Sequence, residues 1–221
     1  ASVAAAAGTT LTIGADGISV GGNAVFGSSS DTGTINLLRG PATWAMSSAT
    51  VRVAGGVLRG KGAALPFVTR IAVSTTVDIG ATLDFNDSDG TIRHLQGAGT
   101  VTASGGAQTI IIDGGNFSGA IIGTGGPRLR NDGGSDILFL SGDNTYGGTT
   151  TIDAGTTLHL GLGGTGGAIA STAGMTNDGT LIFNRADALA LGSAIGGTGP
   201  APPARPRTTT PTATNTYTGA T

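Results

Sequence analysis

The stretch Leu140-Ser-Gly-Asp-Asn-Thr-Tyr-Gly-Gly-Thr-Thr-Thr-Ile-Asp-Ala-Gly-Thr-Thr-Leu-His-Leu-Gly161 decides the fold. Around and within it, short apolar–polar runs follow one another: Ile137-Leu-Phe-Leu140, Thr151-Ile-Asp153 and Leu158-His-Leu160. Each run closes on Gly, Asn, Asp or a polar turn. Alternation with a period of two sends one set of side chains to each face of a strand. Strands this short and this close together leave no room for crossover helices.

The same grammar fills the chain. Leu11-Thr-Ile13, Ile18-Ser-Val20, Thr34-Ile-Asn-Leu37, Val51-Arg-Val53, Thr76-Val-Asp-Ile79, Val101-Thr and Ile110-Ile-Ile112 are further runs. Some are near-copies. Gly80-Ala-Thr-Leu-Asp-Phe-Asn86 matches Asp178-Gly-Thr-Leu-Ile-Phe-Asn184, with Asp153 to Gly161 a looser third. Asn144-Thr-Tyr-Gly-Gly-Thr149 is echoed by Asn215-Thr-Tyr-Thr-Gly-Ala220 and faintly by Asn116-Phe-Ser-Gly119. Repeated strand–turn units are the mark of a solenoid. A β-sandwich has turns as frequent but does not predict near-identical heptapeptides far apart. The expected fold is all-β, a right-handed parallel β-helix (β-solenoid), incomplete at its C-terminal end. Leu83, Phe85, Leu158, Leu160, Leu181 and Phe183 are predicted to point into its core.

Composition agrees. Glycine supplies 42 of 221 residues, all 13 acids are Asp, and Lys61 is the only lysine beside ten arginines. Glu and Lys favour helices, whereas Asp and Gly favour turns. Charged residues are only 11% of the chain, so solvation by charge does not drive it to disorder. A net charge of −2 gives no field to attract nucleic acid. Without cysteine there are no disulfides and no thiolate metal sites. No apolar run is long enough for a membrane-spanning helix. Ala1-Ser-Val-Ala-Ala-Ala-Ala-Gly8 has no basic region and reads as the start of a processed or excised segment.

Leu140 to Gly161 closely resembles the autotransporter-associated β-strand repeat, approximately L-S-G-x-N-T-Y-x-G-x-T-x-I-x-x-G-T-L-x-L-G. Gly164-Thr-Gly-Gly-Ala-Ile-Ala170 and Asn177-Asp-Gly-Thr-Leu-Ile-Phe-Asn-Arg185 continue in the same style, and Asn215-Thr-Tyr-Thr-Gly219 opens a further copy. The resemblance implies a passenger segment at the bacterial cell surface or secreted. Its implied partner is a C-terminal outer-membrane β-barrel that this sequence does not contain. The organisation expected is N-terminal coils of weak repeat character over 1–76 and repeat-bearing β-helix over 77–199. A Pro/Thr-rich linker or disrupted strand follows over 200–213, then the start of a repeat over 214–221. At 200–207 the family pattern would continue as a strand. Four prolines in Pro200-Ala-Pro-Pro-Ala-Arg-Pro-Arg207 cannot donate to a ladder, which leaves a genuine linker or a local frame error.

No motif carries chemistry. Asp31-Thr-Gly-Thr34 has the aspartic-protease tripeptide, but those enzymes need two such carboxylates and no second copy exists; it reads as a turn. Asn86-Asp-Ser-Asp89-Gly90 looks like a calcium loop without the closing Glu and reads as a polar corner. His94 and His159 are the only histidines, with no G-x-S-x-G or G-D-S-G nucleophile; both read as exposed, His159 by its alternation with Leu158 and Leu160. Gly123-Thr-Gly125-Gly126 and Gly163-Gly-Thr-Gly-Gly167 lack the Lys-Ser/Thr of a phosphate loop and read as corners. Asp78, Asp84 and Asp113 could form a carboxylate site on a β-helix face, but Trp44 and Tyr146 stand isolated as sugar platforms, so a solvated outer face is expected.

No catalytic, cofactor-binding or metal residues are therefore assigned, and no cofactor is expected. The function expected is a non-enzymatic surface scaffold, acting as adhesin stalk or in passenger folding and secretion. The alternatives are a β-helical polysaccharide-acting enzyme (lyase or tailspike type) and a self-associating structural filament. Host or cell-surface ligands and end-to-end self-association stay open as partners; nucleic acid does not.

Overall fold

In a computed structural model the short runs become strands, and every strand pairing among the described residues is parallel. The structure describes residues 2–13, 23–38, 50–61, 74–87, 89–133, 136–169, 172–200, 210–211, 214–216 and 218, and none of them is helical. Trp44, the run Ile18 to Val20 and residues 201–209 of the Pro-rich stretch lie outside the described residues.

The chain winds as a β-solenoid with three columns of register partners. One inward column passes through Val3, Phe26, Val53, Val77, Gly97, Phe117, Leu140, Leu160 and Phe183. A second, in a six-stranded sheet, passes through Ile35, Leu58, Leu83, Val101 and Ile121, with Leu11 exposed at its first strand. The third runs through Ile92, Ile112, Leu129, Ile152 and Asn177. The first and third belong to one 13-stranded sheet because two long strands, Gly90–Gly97 and Thr109–Phe117, continue round the corner between them. Ile110 to Ile112 pair with Pro127 to Leu129, while Gly115 to Phe117 pair with Leu138 to Leu140.

Alternation accounts for the core. Leu83, Phe85, Leu158, Leu160, Leu181 and Phe183 are all buried, as the heptapeptides predicted. Each such side chain removed from water contributes roughly 1.5–3 kcal/mol. The near-copies do not share a face, however. Leu83 stacks between Leu58 and Val101, whereas Leu181 stacks on Leu158 in the other sheet. Leu83 shares the turn before it with Leu158 of the looser third copy instead. Ala81 N donates to Asp78 O at 2.9 Å, and Thr156 N to Asp153 O at 3.2 Å. Gly80 and Gly155 adopt φ of 80° and 81°, a region where a Cβ clashes. One Asp-x-Gly-x corner thus serves two different corners of the solenoid.

Thr75 and Asn177 are polar residues at inward positions. Thr75 lies in line with Ala24, Val51 and Leu95, and its Oγ1 has no hydrogen-bond partner. Asn177 follows Ile152 in the third column, fully buried, with its Nδ2 donating to Pro200 O at 3.1 Å.

Candidate functional site

A chemical site on this solenoid would be built from its carboxylates. Asp84 ends the strand Thr82–Asp84 and points away from the core, opposite to Leu83. The expectation of a solvated aspartate fails here: Asp84 is only 1% exposed. Its oxygens accept from Arg59 Nε at 2.7 Å and Ser104 Oγ at 2.7 Å. The amides of Asn86 and Ser104 donate to it at 2.8 and 3.0 Å. Burial opposes its ionisation, but the Ser104, Arg59 and Asn86 donors outweigh that and hold the carboxyl below the usual range. Arg59 is its register partner one coil earlier.

Asp113 departs from the expectation in the same way. It lies at the corner inside the strand Thr109–Phe117 and is buried. Arg130 makes a fork to it, both bonds 3.0 Å. Here burial prevails over Arg130, assisted by Asp132 and Asp136, and the carboxyl sits above its ordinary range. Arg93, Asp113, Arg130 and Asp153 each follow a residue of the third column, so charges alternate from coil to coil along this corner.

Asp78, half-buried, belongs to a repeated device. Arg52 Nε reaches its two oxygens at 3.2 and 2.9 Å, and Arg128 Nε reaches those of Asp153 at 3.0 Å each. In both cases the aspartate stands two residues beyond the arginine's register partner, Thr76 or Thr151, on the next coil. These carboxylates therefore join coils. Each is engaged by a guanidinium, which leaves none of the three poised as a free acid or base for a glycosidic bond.

The other candidates disperse. Asp31 closes a turn, its N–H donating to Ser28 O at 3.0 Å. Asn86 takes the left-handed φ of 54°, and Asp89 Oδ1 accepts from Thr109 N at 2.7 Å, so this segment is a corner tied to the following coil. His94 is exposed. His159 does face outward but is half-buried, its ring stacked on Phe139 at 4.4 Å, and burial pushes its pKa down. Gly123 and Gly126 flank a corner between two strands, and Gly163 lies in a bend with Gly167 just beyond it. Among the described residues no three His or Asp side chains form a metal-ligating group.

The residues that sequence reasoning undervalued are in the repeat motif itself. Tyr146, read as an isolated surface aromatic, is wholly inside the core. Its hydroxyl lies 2.8 Å from Thr150 Oγ1, which lies 3.3 Å from Thr172 Oγ1. Thr172 in turn donates to Gly148 O and Gly174 O. Burial raises the phenol far above its ordinary pKa, against the opposing pull of the Thr150 hydrogen bond. Asn144, buried beside it, accepts from Ile121 N at 2.9 Å with Oδ1. Its Nδ2 donates to Gly142 O at 2.9 Å and Ala168 O at 3.2 Å. One side chain thereby bonds the preceding coil, its own and the next. Asn215 repeats the first half of this arrangement, taking Ile195 N at 2.9 Å. The pairs Thr145 N to Ile121 O and Thr216 N to Ile195 O also correspond. Asn116, the faint third echo, sits instead at an exposed strand position opposite Gln96 and Phe139. The signal for Asn144 was present in the exact return of Asn-Thr-Tyr at 215–217.

Comparison with known proteins finds a similar stretch in the "Adhesin BmaC autotransporter" of Brucella suis biovar 1 (strain 1330), 43% identical over 101 residues. The match covers 42% of this chain and 3% of that protein, so the chain spans a small fraction of its relative. No family model matches the chain, and no solved structure matches it.

Proposed function

We propose that this chain, which fits an autotransporter passenger in its repeat motif, its β-solenoid and its adhesin relative, is a stretch of non-enzymatic adhesin scaffold. As part of such a passenger it is displayed at the cell surface or secreted. It serves as a stalk, and its repeat acts in folding the passenger as that is exported through a C-terminal outer-membrane barrel encoded beyond this sequence.

The observation that carries the reading is where the motif residues go. Asn144, Tyr146 and Thr150 face neighbouring coils and the core and do not line a cleft. The aspartates offered for chemistry are likewise held by arginines of neighbouring coils, which supports a scaffold over a glycan-cleaving enzyme. The test is to fuse the chain ahead of an outer-membrane autotransporter barrel in a Gram-negative host. The expected result is a chain open to added protease on intact cells, with no release of reducing ends from polysaccharides by the purified chain. Retention inside the cell, or turnover abolished by Asp84→Asn or Asp113→Asn, would overturn it.

A further inference from the structure

We infer that the corner formed by three successive coils at Gln108, Gly125 and Gly148 is a binding groove for a neutral glycan chain. The groove has a volume of about 420 Å³ and is lined by Gln108, Thr109, Thr124, Arg128, Thr149 and Thr151, with glycine backbone between them. It forms because the coils approach there backbone to backbone. A Cβ on Gly125 would fall 1.8 Å from Gln108 O, and one on Gly148 would fall 2.4 Å from Gly125 C. No side chain can stand at these positions, so the coils close up there and the flanking hydroxyls and amide line the groove.

The lining selects the ligand class. Among the described residues, the Gln108 amide and the Thr109, Thr124 and Thr149 hydroxyls make no side-chain hydrogen bond within the protein. They offer donors and acceptors at once, as vicinal sugar hydroxyls require. Arg128 is the only charged residue of the lining, and Asp153 already neutralises it at 2.8 Å. An anion such as phosphate therefore has no free cation to meet, and a metal ion has no free carboxylate. An extended peptide finds no open strand edge on this lateral surface. Coils repeat about every 4.8 Å, so groups from three of them are spaced to follow an extended oligosaccharide.

The inference deepens the adhesin reading by naming a ligand class, and it fails independently of it. The full 221-residue chain, ¹⁵N-labelled, is titrated separately with maltotriose, cellotriose and N,N′,N″-triacetylchitotriose, following its amide resonances. The expected result is saturable shifts from at least one sugar, centred on Gln108, Thr109, Gly125, Gly126 and Thr149. The double variant Gln108→Ala/Thr149→Val should weaken that binding about tenfold, as two lost hydrogen bonds imply. Thr124→Val, at an exposed position, gives a second measurement free of folding effects. No saturable shift with any of the three sugars, or shifts that leave the groove untouched or survive the variants, would overturn the assignment. Surface display of a chain that binds none of the sugars would leave the scaffold standing and the groove refuted.

Discussion

Asn144 Oδ1 accepts the Ile121 amide at 2.9 Å, so a side chain of one coil completes the ladder of the coil before it. The same side chain donates to Ala168 of the coil after it. Replacing Asn144 by Ala leaves the buried Ile121 N–H without a partner, and such a group costs about 1–3 kcal/mol. Urea unfolding should show Asn144→Ala less stable by that amount. Asn116→Ala, at an exposed position, should stay within about 0.5 kcal/mol of the parent. Equal effects at the two asparagines would show that Asn144 has no special role between coils.

Asp84 and Asp113 should have opposite pH signatures. The folded-state pKa of Asp84 is lowered, so its contribution is present above the unfolded value of about 3.9 and lost as pH falls through the folded one. That of Asp113 is raised, so its contribution is present below the unfolded value and lost as pH rises through the folded one. Urea midpoints measured from about pH 3 to 6 should lose part of their acid decline in Asp84→Asn. In Asp113→Asn the decline on raising pH should shrink instead. Near neutrality Asp84→Ala should cost about 1–3 kcal/mol, because the Asn86 and Ser104 amides lose their acceptor. Parallel profiles for the two Asn variants would contradict the assignment.

Thr75 offers a stabilising change. It lies 1% exposed in a column with Ala24, Val51 and Leu95, and its hydroxyl is unpaired. Valine has nearly the same shape without the stranded polar atom. Thr75→Val should raise stability by about 1 kcal/mol, read as a higher urea midpoint at unchanged slope. A loss of stability would mean that the hydroxyl is satisfied in solution.

The inward residues were legible because period-two alternation marks them whatever face they belong to. Leu83 and Leu181 show the limit of that signal. Identical heptapeptide grammar gives both a buried leucine but cannot say which sheet each joins, since that depends on how many corners precede it. The carboxylates misled for a related reason. Asp84 and Asp113 occupy outward or corner positions, as alternation says, yet arginines and Ser104 close over them. Those partners lie a coil away, and their distance along the chain hides the contact. Tyr146 misled because its polar partner, Thr150, is hidden in a run of three threonines.

The Asp-x-Gly-x corner should be interchangeable. Asp78-Ile-Gly80-Ala81 and Asp153-Ala-Gly155-Thr156 make the same turn at different corners, with the same φ at glycine and the same arginine clasp. The two sequences differ at the second and fourth positions. Ile79 is 83% exposed, so its side chain contributes little packing. Thr156 differs more, because its Oγ1 donates back to Asp153 O at 2.7 Å. Making the first corner a copy of the second, Ile79→Ala with Ala81→Thr, should therefore supply the same internal bond. The added atoms enter a buried site, as those of Thr156 do, and the internal bond offsets their packing cost, so stability should fall by no more than about 1 kcal/mol. Gly80→Val at the same corner forces a β-branched residue to a positive φ and should cost at least about 1–2 kcal/mol. Thermal or urea unfolding of the two variants decides it. If the graft destabilises as much as Gly80→Val does, the corners differ in their surroundings and the turn is not a transferable unit of the solenoid.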